Sequence, residues 1–129
     1  TTPAAQNGSW SLEMTKATAV SSASYGYIEL GTLSTSTSYT VTAYVYWPSS
    51  NTGGVSNFTM NLLSDSGSGW SANNFGTSPT VEDSWEFVTI TGTTAASLGA
   101  GEPKVNLYMG TSAALNDVVY IDNIVVTQN

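Results

Sequence analysis

Tyr39-Thr40-Val41-Thr42-Ala43-Tyr44-Val45-Tyr46-Trp47 alternates residue by residue, and a strand turns successive side chains to opposite faces. Tyr39, Val41, Ala43, Val45 and Trp47 fall on one side, with the composition of a core. Thr40, Thr42, Tyr44 and Tyr46 fall on the other. That second side mixes hydroxyls with aromatic rings and suits a flat, hydroxyl-rich ligand better than plain water. Pro48 ends the strand, because it has no N–H to give to a ladder.

The same alternation recurs to either side. Residues 1–8 carry Pro3 and read as a linker or a partial first strand. Trp10–Thr15 places Trp10, Leu12 and Met14 inward, and Tyr27–Leu33 places Ile28 and Leu30 inward with Tyr27 and Glu29 outward. After Pro48, Phe58, Met60 and Leu62 turn in while Asn61 turns out. Residues 64–79 read as a long Gly-, Ser- and Asn-rich loop holding Trp70 and Phe75. A loop of that length in a compact domain is usually functional or disordered, and the aromatic residues argue for function. A strand then opens at Trp85, with Val88 and Ile90 inward and Phe87 and Thr89 outward. Val105, Leu107 and Met109 alternate with outward Asn106 and Tyr108. In Val118–Thr127 the pair Val119/Ile121 keeps one phase and Ile124/Val126 the other, the one-residue slip of a β-bulge at Asp122-Asn123. About eight short strands with turn signals between them predict an all-β, antiparallel two-sheet β-sandwich.

A chain of 129 residues is expected to form one domain with a core of its own. Charged residues make up 9% of it, and Ser and Thr supply the polar surface instead. The net charge is −7, with Lys16 and Lys104 the only basic side chains. Nucleic-acid binding and a polybasic membrane patch are excluded on that account. No apolar run approaches the ~20 residues of a membrane span, so no membrane insertion is expected. His and Cys are absent, which rules out Ser-His-Asp and Cys-His catalysis and a His-based zinc site. A charge-poor, hydroxyl-rich, thiol-free surface suits an extracellular, secreted protein or a virion surface. The chain starts without Met and shows no leader pattern, as expected of a fragment or a processed product.

Several segments in order resemble the jelly-roll carbohydrate-binding modules, the galactose-binding-like sandwiches appended to glycoside hydrolases. They are residues 8–15 (Gly-Ser-Trp-Ser-Leu-Glu-Met-Thr), 33–47 with their Tyr-Thr-Val-Thr-Ala-Tyr-Val core, Trp85 with the Val88/Ile90 alternation, and Val105-Asn106-Leu107-Tyr108-Met109-Gly110. The closing Val119-Tyr120-Ile121-Asp122-Asn123-Ile124-Val125-Val126 is similar to the family's Tyr-Ile-Asp strand. The family's Phe-Glu first strand is not recognisable here. The resemblance implies a jelly roll and non-catalytic glycan or polysaccharide binding, in a larger multidomain enzyme or a virion assembly. It also implies a structural Ca2+ site in which Asp122 takes part; the alternative is a bulge aspartate bonding nearby backbone amides.

Sugar rings present C–H faces to aromatic planes and hydroxyls to amides and carboxylates. The expected ligand-binding residues are therefore Tyr44, Tyr46 and Tyr108, joined by Asn61, Asn106 and Glu29 as hydrogen-bonding partners and by Trp70 from the loop. Tyr27 and Phe87 leave the core on the same kind of face. The bland reading of such tyrosines is β-propensity and cross-strand pairing. Trp10, Trp47 and Trp85 read as core or sheet-edge packing. Glu82, Asp83 and Glu86 are the one acidic cluster, and acids at a strand end are more often solvated than catalytic, so no enzyme is expected. The alternative function is a structural or decorating domain of a phage virion or surface fibre, held by protein–protein contacts. An isopeptide-linked adhesin would require Lys16 or Lys104 buried beside Asn and an acid. Asn7-Gly8-Ser9 and Asn57-Phe58-Thr59 match the glycosylation sequon.

Overall fold

The structure, a computed structural model, describes residues 5–17, 22–65, 70–72, 77–99 and 103–129. Among these, eight strands follow one another: β1 (Leu12–Thr15), β2 (Ser24–Glu29), β3 (Ser38–Tyr46), β4 (Phe58–Asp65), β5 (Trp70–Ala72), β6 (Trp85–Thr93), β7 (Lys104–Met109) and β8 (Val118–Gln128). Their one helical turn is a short 3-10 segment, Val55–Asn57. Sheet A has the order β1-β8-β3-β6 and sheet B the order β2-β7-β4-β5, with every pairing antiparallel. The chain passes back and forth between the two sheets, as a jelly roll requires.

The alternation of β3 sets the core. Tyr39, Val41, Ala43, Val45 and Trp47 are all buried and meet Phe58, Met60 and Leu62 of β4 and Val105, Leu107 and Met109 of β7. Val88 and Ile90 of β6 complete the layer. In β8, Val119 and Ile121 are buried, and Ile124 and Val126 pack against the same core. The register with β3 shifts between Thr42 and Tyr44, and Asn123 takes a left-handed φ of 52°. The predicted bulge thus puts both hydrophobic phases of β8 on one side.

Three details depart from the sequence expectation. Trp10 is 87% exposed and Leu12 is exposed too. β1 begins only at Leu12 and is an edge strand, so Trp10 lies outside the paired segment. β2 begins at Ser24 rather than Tyr27, because Gly26 on its inner side hides the alternation. Trp70 belongs to a strand, not a loop, its backbone opposite Asp65; Phe75 lies outside the described residues.

Buried polar groups lock the connections at one end of the sandwich. The Asp117 carboxylate accepts the N–H groups of Thr52 at 2.7 Å, Gly53 at 2.8 Å and Ala114 at 2.7 Å. Asn51 bonds both the N–H and the C=O of Val118, and the Trp47 indole donates to Gly53 O at 3.2 Å. Lys16 is fully buried. Its ammonium donates to the carbonyls of Gly110, at 2.8 Å, and Ser22. A buried charge needs such hydrogen bonds to be tolerable at all. These partners are carbonyls, not an Asn side chain beside an acid, so the lysine forms a clamp and not an isopeptide site.

Candidate functional site

Local alternation tells inside from outside but not which sheet a strand joins, and here that distinction divides the expected site. Tyr44, Tyr46 and Phe87 stand on the outer side of sheet A. Glu29, Tyr27, Asn61, Asn106 and Tyr108 stand on the outer side of sheet B, across the core. The single aromatic face expected from the sequence is therefore two faces. Trp70 enters sheet B through β5.

On sheet B the register sets three rows across β2, β7 and β4: Tyr25–Tyr108–Thr59, Tyr27–Asn106–Asn61 and Glu29–Lys104–Leu63. Tyr25 and Tyr27 are 57% and 53% exposed. Their rings lie nearly parallel, 8° apart in plane with centroids 6.3 Å apart. Tyr108 leans on Tyr25 at 5.3 Å, and the Lys104 ammonium sits 4.7 Å from the centre of the Tyr27 ring. In the middle row Asn106 is 5% exposed, and its buried side-chain carbonyl oxygen has no hydrogen-bond partner among the described residues. Buried polar atoms are nearly always paired, so this orphan acceptor calls for an explanation. Tyr25 was missed from the sequence because it precedes the expected start of the strand. The Tyr25-Gly26-Tyr27 repeat, one ring every second residue, was the available signal.

On sheet A the rings are turned toward one another. Tyr44 packs on Phe87 at 5.2 Å. Tyr46 packs on Trp85 at 5.6 Å and on Tyr120 at 6.3 Å, and Tyr120 is buried. Farther along the face Thr40 and Thr91 bond each other through their hydroxyls. Of the three tryptophans expected to be packing residues, Trp47 is core, Trp85 joins this surface cluster and Trp10 packs against nothing substantial.

The acids near Trp85 hold loops. Asp83 accepts Ser49 through both the hydroxyl and the N–H, and more weakly the Tyr46 hydroxyl at 3.4 Å. Those bonds, the Ser49 hydroxyl first, hold its carboxyl below the ordinary range. Burial, and secondarily the Asp83 charge, push the Tyr46 phenol up. Glu86 accepts the Thr80 N–H at 2.6 Å, the Thr80 hydroxyl and the Val81 N–H. The Thr80 N–H is the main cause of its lowered pKa. Both acids are thus tuned to stay ionised, the opposite of what a general acid requires. A carboxylate with a depressed native pKa adds stability that is present above its unfolded pKa and lost as pH falls through the folded value. Thermal stability is therefore expected to decline once pH drops below about 4. Glu86→Gln, compared with wild type in a series of melting temperatures against pH, should flatten that acid limb.

Asp122 accepts two backbone N–H groups. One carboxylate oxygen accepts the Asn7 N–H at 2.9 Å and the other the Asn123 N–H at 2.7 Å. No group of three His, Cys, Asp or Glu that could hold a metal occurs among the described residues. A calcium shell needs six or more oxygens, and the described residues place no cluster of acidic side chains around Asp122 to supply them. Asp122 instead ties residue 7 to the bulge of β8. Melting temperatures with added calcium and with EDTA should accordingly agree.

No helix among the described residues is long and apolar enough to cross a membrane. No family model matches the sequence, and no curated protein matches it either. Solved structures do match. The CBM22-1 xylan-binding domain from Paenibacillus barcinonensis Xyn10C is 15% identical, with a TM-score of 0.65, covering 99% of this chain and 78% of that one. A structure titled "CBM4 structure and function" is 17% identical with a TM-score of 0.65, covering 92% and 84%. A family 16 carbohydrate-binding module is 17% identical with a TM-score of 0.63, covering 96% and 80%. The fold is the carbohydrate-binding-module jelly roll. The module fold is matched over nearly the full length of the chain.

Proposed function

We propose that this domain is a non-catalytic glycan-binding module whose ligand lies on the outer face of sheet B. The observation that carries the proposal is the unpartnered Asn106 oxygen at the centre of a face with exposed tyrosines. That oxygen is closed to solvent, so a sugar hydroxyl would satisfy it once a neighbouring side chain turns aside, while the rings of Tyr25, Tyr27 and Tyr108 offer planes to sugar C–H groups. Asn61, next to Asn106 in register, adds amide donors and acceptors. Glu29 and Lys104 close the face at one end, and Trp70 comes to the same sheet through β5. Tyr44 and Tyr46 are less suited to stacking, because their rings already pack against Phe87, Trp85 and Tyr120.

The proposal draws on a second support: the matched structures are carbohydrate-binding modules, one of them described as xylan-binding. The ligand class is a neutral or weakly charged polysaccharide, because a chain of net charge −7 repels polyanions. Such polymers lie outside cells, which agrees with an extracellular setting.

Asn106→Leu separates binding from folding. Removing a buried acceptor that has no partner should leave the melting temperature unchanged or raise it. The same change should weaken glycan binding by about 1–3 kcal/mol, because the ligand hydroxyl loses its acceptor. Calorimetric titration with xylan- and glucan-derived oligosaccharides, alongside thermal melts, reads both effects. A variant that melts lower and binds as well as wild type would remove Asn106 from the site.

A further inference from the structure

We infer that Asn7-Gly8 is a self-modifying site, at which the asparagine cyclises and loses ammonia while the domain stays folded. The reaction needs a side-chain amide free to turn, a following N–H free to attack and room for the ring. Asn7 and Gly8 are both exposed. Among the described residues, neither the Asn7 side-chain amide nor the Gly8 N–H makes a hydrogen bond; only the Asn7 backbone N–H does, to Asp122. Gly8 has a φ of +75°, and a Cβ built there would meet nothing within 4 Å. It is the sole asparagine in the chain followed by glycine. Three other asparagines are held: Asn51 bonds Val118 twice, Asn57 donates to Gly54 O and precedes buried Phe58, and Asn106 is itself buried.

The step balances without any co-reactant but water. The Gly8 nitrogen attacks Asn7 Cγ; its proton and the side-chain NH2 leave together as ammonia, closing a succinimide. Water then opens one or the other imide bond, leaving aspartate or isoaspartate at position 7. Either product puts a new carboxylate beside Asp122, whose own carboxylate is 2.9 Å from the residue-7 N–H. Like charges on such neighbouring residues repel. The conversion therefore acts as a slow, one-way release of residues 5–9 from the bulged strand at the side of sheet A.

The test uses protein made in a bacterial cytoplasm, so that the Asn7-Gly8-Ser9 sequon stays bare. Folded wild type, the same chain unfolded in urea and the variant Asn7→Ser are aged in warm neutral buffer. Peptide mapping by mass spectrometry and isoaspartate methylation then locate the products. Position 7 should convert first in the folded chain, at a rate within about tenfold of the unfolded chain, the fold adding less than about 1.4 kcal/mol to the barrier. Asn7→Ser should lack the early acidic species. Converted protein should show faster hydrogen exchange in the peptide covering residues 5–11. A slower rate at position 7, another asparagine converting first, or unchanged exchange after conversion would overturn the inference.

Discussion

Asp117→Ala is expected to be the most destabilising single change on the surface loops, costing about 3–5 kcal/mol, the range for leaving buried groups without their charged partner. The carboxylate accepts three N–H groups from two loops far apart in sequence, those of Thr52, Gly53 and Ala114. Alanine strands all three. Asp117→Asn keeps the shape and part of the bonding, so its loss should be smaller. Gly53→Ala tests the same contact from the other side, because the added Cβ would lie 2.8 Å from the Asp117 carboxylate and 2.9 Å from Ala113 Cα. Urea denaturation of the three variants should rank them with Asp117→Asn the mildest. An Asp117→Ala protein as stable as wild type would show that the loops are held by something else.

Tyr27→Ala should give the largest effect on ligand affinity, about 1–3 kcal/mol, or about fivefold to more than a hundredfold in Kd. The ring is half exposed, parallel to Tyr25, backed by the Lys104 ammonium and beside Asn106. Stability should scarcely change, since no core cavity opens. Tyr44→Ala provides the contrast from sheet A, where the ring packs on Phe87; its glycan affinity should stay near that of wild type. Titration of both variants with one oligosaccharide compares the two faces directly.

Those two expectations draw on different depths of the sequence. The core was legible because burial on one side imposes a strict period of two. Val41, Val45, Val105 and Leu107 do share one core, and the phase slip in β8 announced its bulge. Sheet membership was not legible, since alternation carries no record of which layer a strand enters. Tyr44 and Tyr108 therefore looked like neighbours and lie on opposite faces. Trp10 misled because its phase matched Met14, yet the strand begins two residues later. The burial of Lys16 and Asp117 was hidden for another reason. Their partners are backbone groups, several of them in distant loops, which leave no mark in local pattern or residue type.

The most direct measurement is a map of backbone amide shifts as a xylan- or glucan-derived oligosaccharide is titrated into the labelled domain. The account predicts perturbations concentrated in β2, β7 and β4, around Tyr25, Tyr27, Asn61, Asn106 and Tyr108, with β3 and β6 unmoved. Shifts centred on Tyr44, Tyr46 and Phe87 with sheet B silent would contradict it.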